Sequence, residues 1–250
     1  MAPQTLTQTG HVVWHELSTP SAEKSASFYT SLLGWQTETF KPGEMDYTMI
    51  SVGGATHGGF QQADDGRPSF WFGHIAVEDV DAAAAKATKL GAETLAGPMD
   101  IPEVGRFTLI RDPQGAVCSL YTPAGEGPAA TGVFAWDELM SEDVEASRRF
   151  YTEVAGWRSK DMDMSGMTYT MFQAADGQDV AGLMAKPEMA PTSAWLTYLA
   201  NEDTDASVKK AESLGATTLA EPFDITGIGR IAILVDPAGA AFGLFQSTAT

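Results

Sequence analysis

The sequence predicts an α+β protein of two tandem halves, each a pair of β-α-β-β-β units whose mixed sheets curve around a cup. Three observations carry this. The stretch Val12–Trp35 recurs as Val133–Trp157. Trp14, Glu16, Phe28-Tyr29 and Gly34-Trp35 match Trp136, Glu138, Phe150-Tyr151 and Gly156-Trp157 at a constant offset of 122. Within each half a second strand and helix follow, closing on KLGAE (89–93) or SLGAT (213–217). Each half then ends in a turn, Asp112-Pro113-Gln114-Gly115 or Asp236-Pro237-Ala238-Gly239, and a last apolar strand. A repeat of this length governs the reading of the remainder.

Val12–Leu17 alternates like a half-buried strand, with Trp14 and Glu16 on one face and Val13, His15 and Leu17 on the other. Ser18-Thr19-Pro20-Ser21 stops it. Ser21 or Thr19 is the expected helix cap, and Pro20 suits a first turn. The helix over 22–33 puts Ala22, Ala26, Tyr29 and Leu33 on one stripe, and Gly34 ends it. Tyr47–Val52 and Thr56–Gln61 flank Gly53-Gly54 as a hairpin. Phe70–Val77 is the next strand and Val80–Leu90 an alanine-rich helix closed by Gly91. Glu93–Ala96, Arg106–Arg111 and Val117–Tyr121 are the strands that finish the half. Residues 1–123 form the first half, 124–132 a linker rich in Pro, Gly and Ala, and 133–250 the second half. Late offsets reach 124 (236 − 112), so two extra residues are expected in the second hairpin loop.

The 250 residues give each half enough chain to bury a core. A net charge of −18 argues against nucleic acid or an anionic membrane as partner, because phosphate binding needs a basic surface. The same charge favours solubility. One cysteine, Cys118, permits no internal disulfide. No basic segment leads into an apolar run at the N-terminus, and no apolar run nears the roughly 20 residues of a membrane span. A cytoplasmic protein is expected.

The words FYTSLLGW and FYTEVAGW, KLGAE and SLGAT, and the DPQG and DPAG turns resemble the vicinal oxygen chelate superfamily. That superfamily holds glyoxalase I, extradiol dioxygenases, fosfomycin-resistance enzymes and bleomycin-resistance binding proteins. More narrowly the chain looks like the tandem glyoxalase-like proteins of actinobacteria. The resemblance implies where metal ligands would lie: fifteen residues before the FY tyrosine, seven before the aspartate opening the second helix, and four after the DPxG glycine. Those positions hold Trp14, Phe72 and Ser119 in one half and Trp136, Leu196 and Gly243 in the other. None is a carboxylate, imidazole or thiolate, so no metal and no other cofactor is expected.

By parity, Trp14/Glu16 and Trp136/Glu138 point into the cups. A carboxylate beside an indole can serve as acid, base or hydrogen-bond acceptor. The structural alternative caps a backbone or pairs each glutamate with the matched Arg106 or Arg230. His74 lies two residues after Phe72, so it also points inward, and it aligns with Tyr198. Glu16, Glu138, His74 and Tyr198 are therefore the catalytic candidates. Trp14, Trp136, Phe72, Trp71, Ser119, Tyr121, Trp195 and Phe245 are the expected ligand walls, with methionines such as Met45 beside them. His57, in the hairpin segment, is expected to be exposed or a binding-loop residue. The leading expectation is metal-free binding of an apolar or aromatic small molecule, by sequestration as in the bleomycin-resistance branch. The alternative is a metal-free isomerase, cyclase or lyase working by acid-base catalysis, followed by a metal-dependent lyase or dioxygenase. A monomer whose halves pair as subunits do, or a homodimer, is expected.

Overall fold

The computed structural model describes residues 8–40, 47–125, 133–164, 166–188 and 190–248; linker residues 126–132 and Met45 lie outside them. The first half runs β1 (Val12–Thr19), α1 (Ala22–Leu33), β2 (Gln36–Phe40), β3 (Tyr47–Val52), β4 (Ala55–Gln62), β5 (Phe70–Ala76), α2 (Val80–Lys89), β6 (Glu93–Ile101), β7 (Gly105–Arg111) and β8 (Val117–Pro123). The second repeats it as β9 (Phe134–Ser141), α3 (Val144–Val154), β10 (Arg158–Met164), β11 (Met167–Gln173), β12 (Asp179–Ala185), β13 (Ala194–Ala200), α4 (Thr204–Ser213), β14 (Thr217–Ile225), β15 (Gly229–Val235) and β16 (Ala241–Ser247). Each half supplies one eight-stranded sheet, ordered β2-β3-β4-β1-β5-β8-β7-β6 and β10-β11-β12-β9-β13-β16-β15-β14. The sheets are mixed. β1 runs parallel to β4 and β5 to β8, and the hairpin neighbours run antiparallel. No helix among the described residues is long and apolar enough to cross a membrane.

β2 and β10 were not separate strands in the sequence pattern. Both are sheet edges with largely exposed, polar residues, so no apolar alternation marks them. The start of α1 also differs from expectation. Ser21 occupies the cap position but makes no side-chain cap bond, and Thr19 Oγ1 accepts from Ser21 N. The Gln62 side chain takes the Ala22 N–H instead. In α2, α3 and α4 the caps are Asp79, Asp143 and Asp203, each accepting from the N–H three residues on. Of the two extra residues, one enters the β11–β12 hairpin, since Glu138 faces Gly182 where Glu16 faces Gly59 (182 − 59 = 123). The other falls between β12 and β13, because Trp195 matches Trp71 at 124 (195 − 71).

Compactness does not follow the sequence halves. One unit draws on the ranges Met1–Trp14, Gly73–Ala130 and Trp136–Trp195, the other on His15–Phe72, Thr131–Ala135 and Leu196–Thr250. Each unit thus combines one β-α-β-β-β module from each half. The first unit's core packs Val80, Ala83 and Ala87 of α2 with Phe150 and Tyr151 of α3. The second unit's core packs Phe28 and Tyr29 of α1 with Val208 and Ala211 of α4.

The FY tyrosines explain this pairing of modules. Tyr151 is fully buried, donates to Asp112 Oδ2 at 2.9 Å and accepts from Trp195 Nε1 at 2.9 Å. Asp112 belongs to the DPQG turn of the other half, and its Oδ1 accepts from Gln114 N and Ala116 N. The second unit mirrors this. Trp71 Nε1 donates to Tyr29 at 2.9 Å, and Asp236 accepts the N–H groups of Ala238 and Ala240. There Asp236 faces Tyr29, but its Oδ2 falls short of the hydrogen-bond geometry that Asp112 reaches. Burial raises the Asp112 carboxyl, opposed by the Tyr151 hydrogen bond and the turn N–H groups. Burial also pushes the Cys118 thiol up to about 12, its sulfur 3.8 Å from the Tyr151 hydroxyl.

Tyr151→Phe leaves Asp112 and Trp195 without their shared partner. The expected loss is about 2–3 kcal/mol in urea unfolding, against about 1 kcal/mol for Tyr29→Phe, whose aspartate contact is weaker. A pH series on Asp112→Asn checks the carboxyl. A buried carboxyl with a raised pKa contributes stability that is full below its unfolded value and declines as pH rises through its folded value. The deficit of Asp112→Asn against wild type is therefore expected to be greatest near pH 3.5 and to shrink toward pH 7.

Candidate functional site

The glutamates of the first strands are held by tyrosines. In the unit containing α3, Tyr169 of β11 donates to Glu138 Oε1 at 2.9 Å and accepts from Trp136 Nε1 at 2.8 Å. This is a one-way chain from indole N–H to phenol to carboxylate. In the unit containing α1, Tyr47 of β3 donates to Glu16 Oε1 at 2.8 Å. Both pairs are 31 residues apart in sequence. Burial, then the Glu138 charge, raises the Tyr169 hydroxyl well above the usual phenol range, so it stays protonated and keeps donating. Neither tyrosine was picked out from the sequence. The signal was available as a tyrosine recurring at the same distance from each W-x-E.

Glycine makes these pairs possible. Gly59 and Gly182 stand opposite Glu16 and Glu138 in the β4 and β12 register. A Cβ at Gly182 would collide with the Tyr169 hydroxyl, and one at Gly59 would collide with Tyr47. The missing side chain lets each ring lie flat on the neighbouring strand. The same device recurs elsewhere: Tyr198 lies over Gly243, Phe245 over Gly229 and Tyr121 over Gly105.

The expected arginine partners are committed elsewhere. Arg106 bonds Asp81 and Asp100, and Arg230 bonds Asp205 and Asp224, in matching geometry. His74 is buried, with Tyr121 and Phe107 rings about 6 Å away. It faces Ser119 across the β5–β8 register, and its counterpart Tyr198 faces Gly243. Two expected wall residues have partners in the cores: Trp71 and Trp195 donate to Tyr29 and Tyr151. His57 is buried, not exposed, with Nε2 at 3.1 Å from the Val52 carbonyl. His15 is buried too, stacked on Phe134 at 4.0 Å.

The positions where the resemblance places metal ligands do not fit a metal. Phe72 and Leu196 are buried apolar side chains, and Ser119 Oγ turns to the Leu120 carbonyl. Gly243 has no side chain, and the Tyr198 ring fills the space a ligand there would need. Among the described residues, no three His, Cys, Asp or Glu side chains are grouped to hold a metal ion.

Tandem sheets of this order and strand direction define a tandem glyoxalase-fold protein. Family comparison agrees. Residues 8–119 match the Glyoxalase/Bleomycin resistance protein/Dioxygenase superfamily, and residues 135–245 match the glyoxalase-like domain. The chain belongs to this superfamily. Two similar proteins are 32% identical to it. CFP32 of Mycobacterium tuberculosis, which bears a glyoxylase name, aligns over 93% of each chain. The anthracycline biosynthesis protein DnrV of Streptomyces peucetius aligns over 95% of this chain and 93% of its own. Solved structures share the fold at lower identity. The Mn(II)-bound glyoxalase of Novosphingobium aromaticivorans has a TM-score of 0.62 at 15% identity, covering 96% of this chain and 82% of that one. The 2,3-dioxygenase LapB of Pseudomonas sp. KL28 has a TM-score of 0.62 at 14% identity, covering 98% and 94%.

Gly182→Ala is expected to push the Tyr169 ring off its strand and break the Trp136–Tyr169–Glu138 chain. Exchange of the Trp136 indole N–H, followed by NMR, should quicken at least about tenfold, roughly the loss of one buried hydrogen bond. Unchanged exchange would mean that the ring does not depend on the glycine.

Proposed function

We propose that this chain is a metal-independent, cytoplasmic binding protein for a flat, largely aromatic small molecule. The observation that carries this is the absence of metal donors at the expected ligand positions, one of which, Gly243, is covered by the Tyr198 ring, together with the glutamates held by tyrosines. A ring over glycine offers a planar stacking surface. The Glu16 and Glu138 carboxylates would accept hydrogen bonds from ligand hydroxyls. The name of DnrV supports a planar polyketide-like ligand class. Trp14, Trp136, Phe72, Ser119, Tyr121 and Phe245 are proposed as the wall of the site. The active form would be a monomer whose modules already pair internally, or a homodimer.

A second reading has one observation in its favour. The Trp136–Tyr169–Glu138 chain ends on a buried carboxylate, an arrangement that also suits proton transfer. On that reading the chain is a metal-free isomerase, cyclase or lyase, with Glu16, Glu138, His74 or Tyr198 as the acting group.

Tryptophan quenching by 1,4-dihydroxyanthraquinone, on chelator-treated protein, tests the first reading. Saturable binding without turnover is expected. Trp14→Ala and Trp136→Ala should each weaken it about fivefold or more while the melting temperature falls by only a few degrees. Unchanged affinity with a large melting loss would assign these indoles to the fold. Chelator-insensitive conversion of the probe would favour the second reading. A full equivalent of iron, zinc, nickel or manganese in the purified protein would overturn both.

A further inference from the structure

In the unit containing α3, the sheet face that carries Glu138 is lined with methionine. The strand register sets the layout. Gly182 lies between Glu138 on β9 and Met171 on β11, Met184 pairs with Met140, Met162 with Tyr169, and Met164 with Met167. Tyr169 reaches Glu138 across this face, so the residues in step with it share the face. Leu139, Phe172, Ala181 and Leu183 alternate to the other side and pack in the core with Phe150 and Tyr151 of α3. Six of the chain's eleven methionines thus surround one tyrosine–glutamate pair. Among the described residues, none of the six joins a hydrophobic core. Met162 and Met167 are 41% and 43% exposed, whereas Met140, Met171 and Met184 are half-buried beside the glutamate. Recessed side chains with an exposed rim are reached by a small molecule more readily than by a protein surface.

The matching face in the unit containing α1 carries a different set. Glu16 faces Gly59 as Glu138 faces Gly182, so the two faces correspond strand by strand. Ser18 pairs with Gln61 where Met140 pairs with Met184. Glu38 pairs with Met49 where Lys160 pairs with Met171. The tyrosine–glutamate pair is common to both copies, and its surroundings are apolar in one and polar in the other. The fold does not require methionine here, since Ser18 and Gln61 hold the same register. A thioether side chain is unbranched and polarisable, follows irregular apolar outlines and makes favourable sulfur contacts with aromatic rings.

We infer that the flat aromatic ligand binds on the methionine face of β9–β12 and not on the matching face of β1–β4, an assignment that rests on the binding reading above. Its rings lie against Met140, Met171 and Met184, and one hydroxyl at its edge donates to Glu138. A carboxylate offers about four lone-pair sites, so accepting from Tyr169 does not exhaust it. The ligand class is a fused aromatic with an apolar body and a single hydroxyl edge. Ser18 and Gln61 disfavour that body on the other face, because it would cover their polar groups without bonding them.

Methyl NMR of the full chain tests this, with ¹³C-methyl methionine and single Met→Leu variants to assign the signals. The probe is 2-naphthol, with naphthalene as the match lacking the hydroxyl. 2-Naphthol is expected to move the Met140, Met171 and Met184 methyls upfield saturably, through its ring current, and to leave the Met49 methyl in place. Naphthalene should bind about fivefold more weakly, consistent with one lost hydrogen bond. The double variant Met140→Ser, Met184→Gln installs the other copy's pair. It should bind 2-naphthol roughly tenfold more weakly, from two lost sulfur–ring contacts, with its melting temperature within a few degrees of wild type. Saturable binding that moves Met49 and not the three methyls would overturn the assignment and leave the binding reading standing, as would undiminished affinity in the double variant. Should that variant fail to fold, the wild-type shifts alone decide the placement. Failure of both 2-naphthol and 1,4-dihydroxyanthraquinone to bind would overturn the assignment and the binding reading together.

Discussion

The structure depends on a buried polar contact between a helix of one half and a turn of the other. Tyr151 sits in the first unit's core with its hydroxyl shared between Asp112 and Trp195. Burying a phenol and a carboxyl is unfavourable unless both find partners. Here the aspartate is also tied by two N–H groups of its own turn, so the whole DPQG loop becomes the acceptor platform for a helix from elsewhere in the sequence. Aromatic packing completes the arrangement. Trp157 stacks on Tyr151 with centroids 5.6 Å apart, and Trp195 meets it edge-on at 5.3 Å. The second unit repeats the geometry, with Trp35 at 5.7 Å and Trp71 at 5.3 Å from Tyr29. Four recurring words of the sequence, FY, GW, DPxG and the tryptophan of the fifth strand, are thus one physical device used twice.

On the sheet faces that carry the paired glutamates, the positions where the resemblance places metal ligands hold no metal donors. A metal centre needs hard or imidazole donors converging on one point. This chain places rings over glycines at the corresponding strands and spends its inward carboxylates on tyrosine hydroxyls. A phenol donating to a carboxylate fixes the rotamers of both groups and leaves the carboxylate an acceptor.

Much of this was legible in the sequence because repetition acts as an internal control. Helix ends, DPxG turns and the alternation of β1 and β9 appear twice, so they stand out without any other sequence. Parity correctly separated Val13, His15 and Leu17 from Trp14 and Glu16. What escaped notice was either edge or long-range. β2 and β10 carry polar residues on both faces. Tyr47 and Tyr169 meet their glutamates across two strands, where local spacing gives no hint. Trp71 and Trp195 are expected as ligand walls because tryptophan stacks on flat molecules. Their alternation places them on the helix side, where the FY tyrosines needed a donor.

The two halves differ most where no shared structural duty constrains them. Tyr198 stands where His74 does, and Gly243 where Ser119 does, so one sheet carries a ring flat on the strand and the other an imidazole facing a hydroxyl. Tryptophan at the GW position keeps its stacking on the FY tyrosine in both units, and Trp157 also donates to the Gly10 carbonyl. Duplication thus leaves a chain able to vary one copy's chemistry while the other keeps its own.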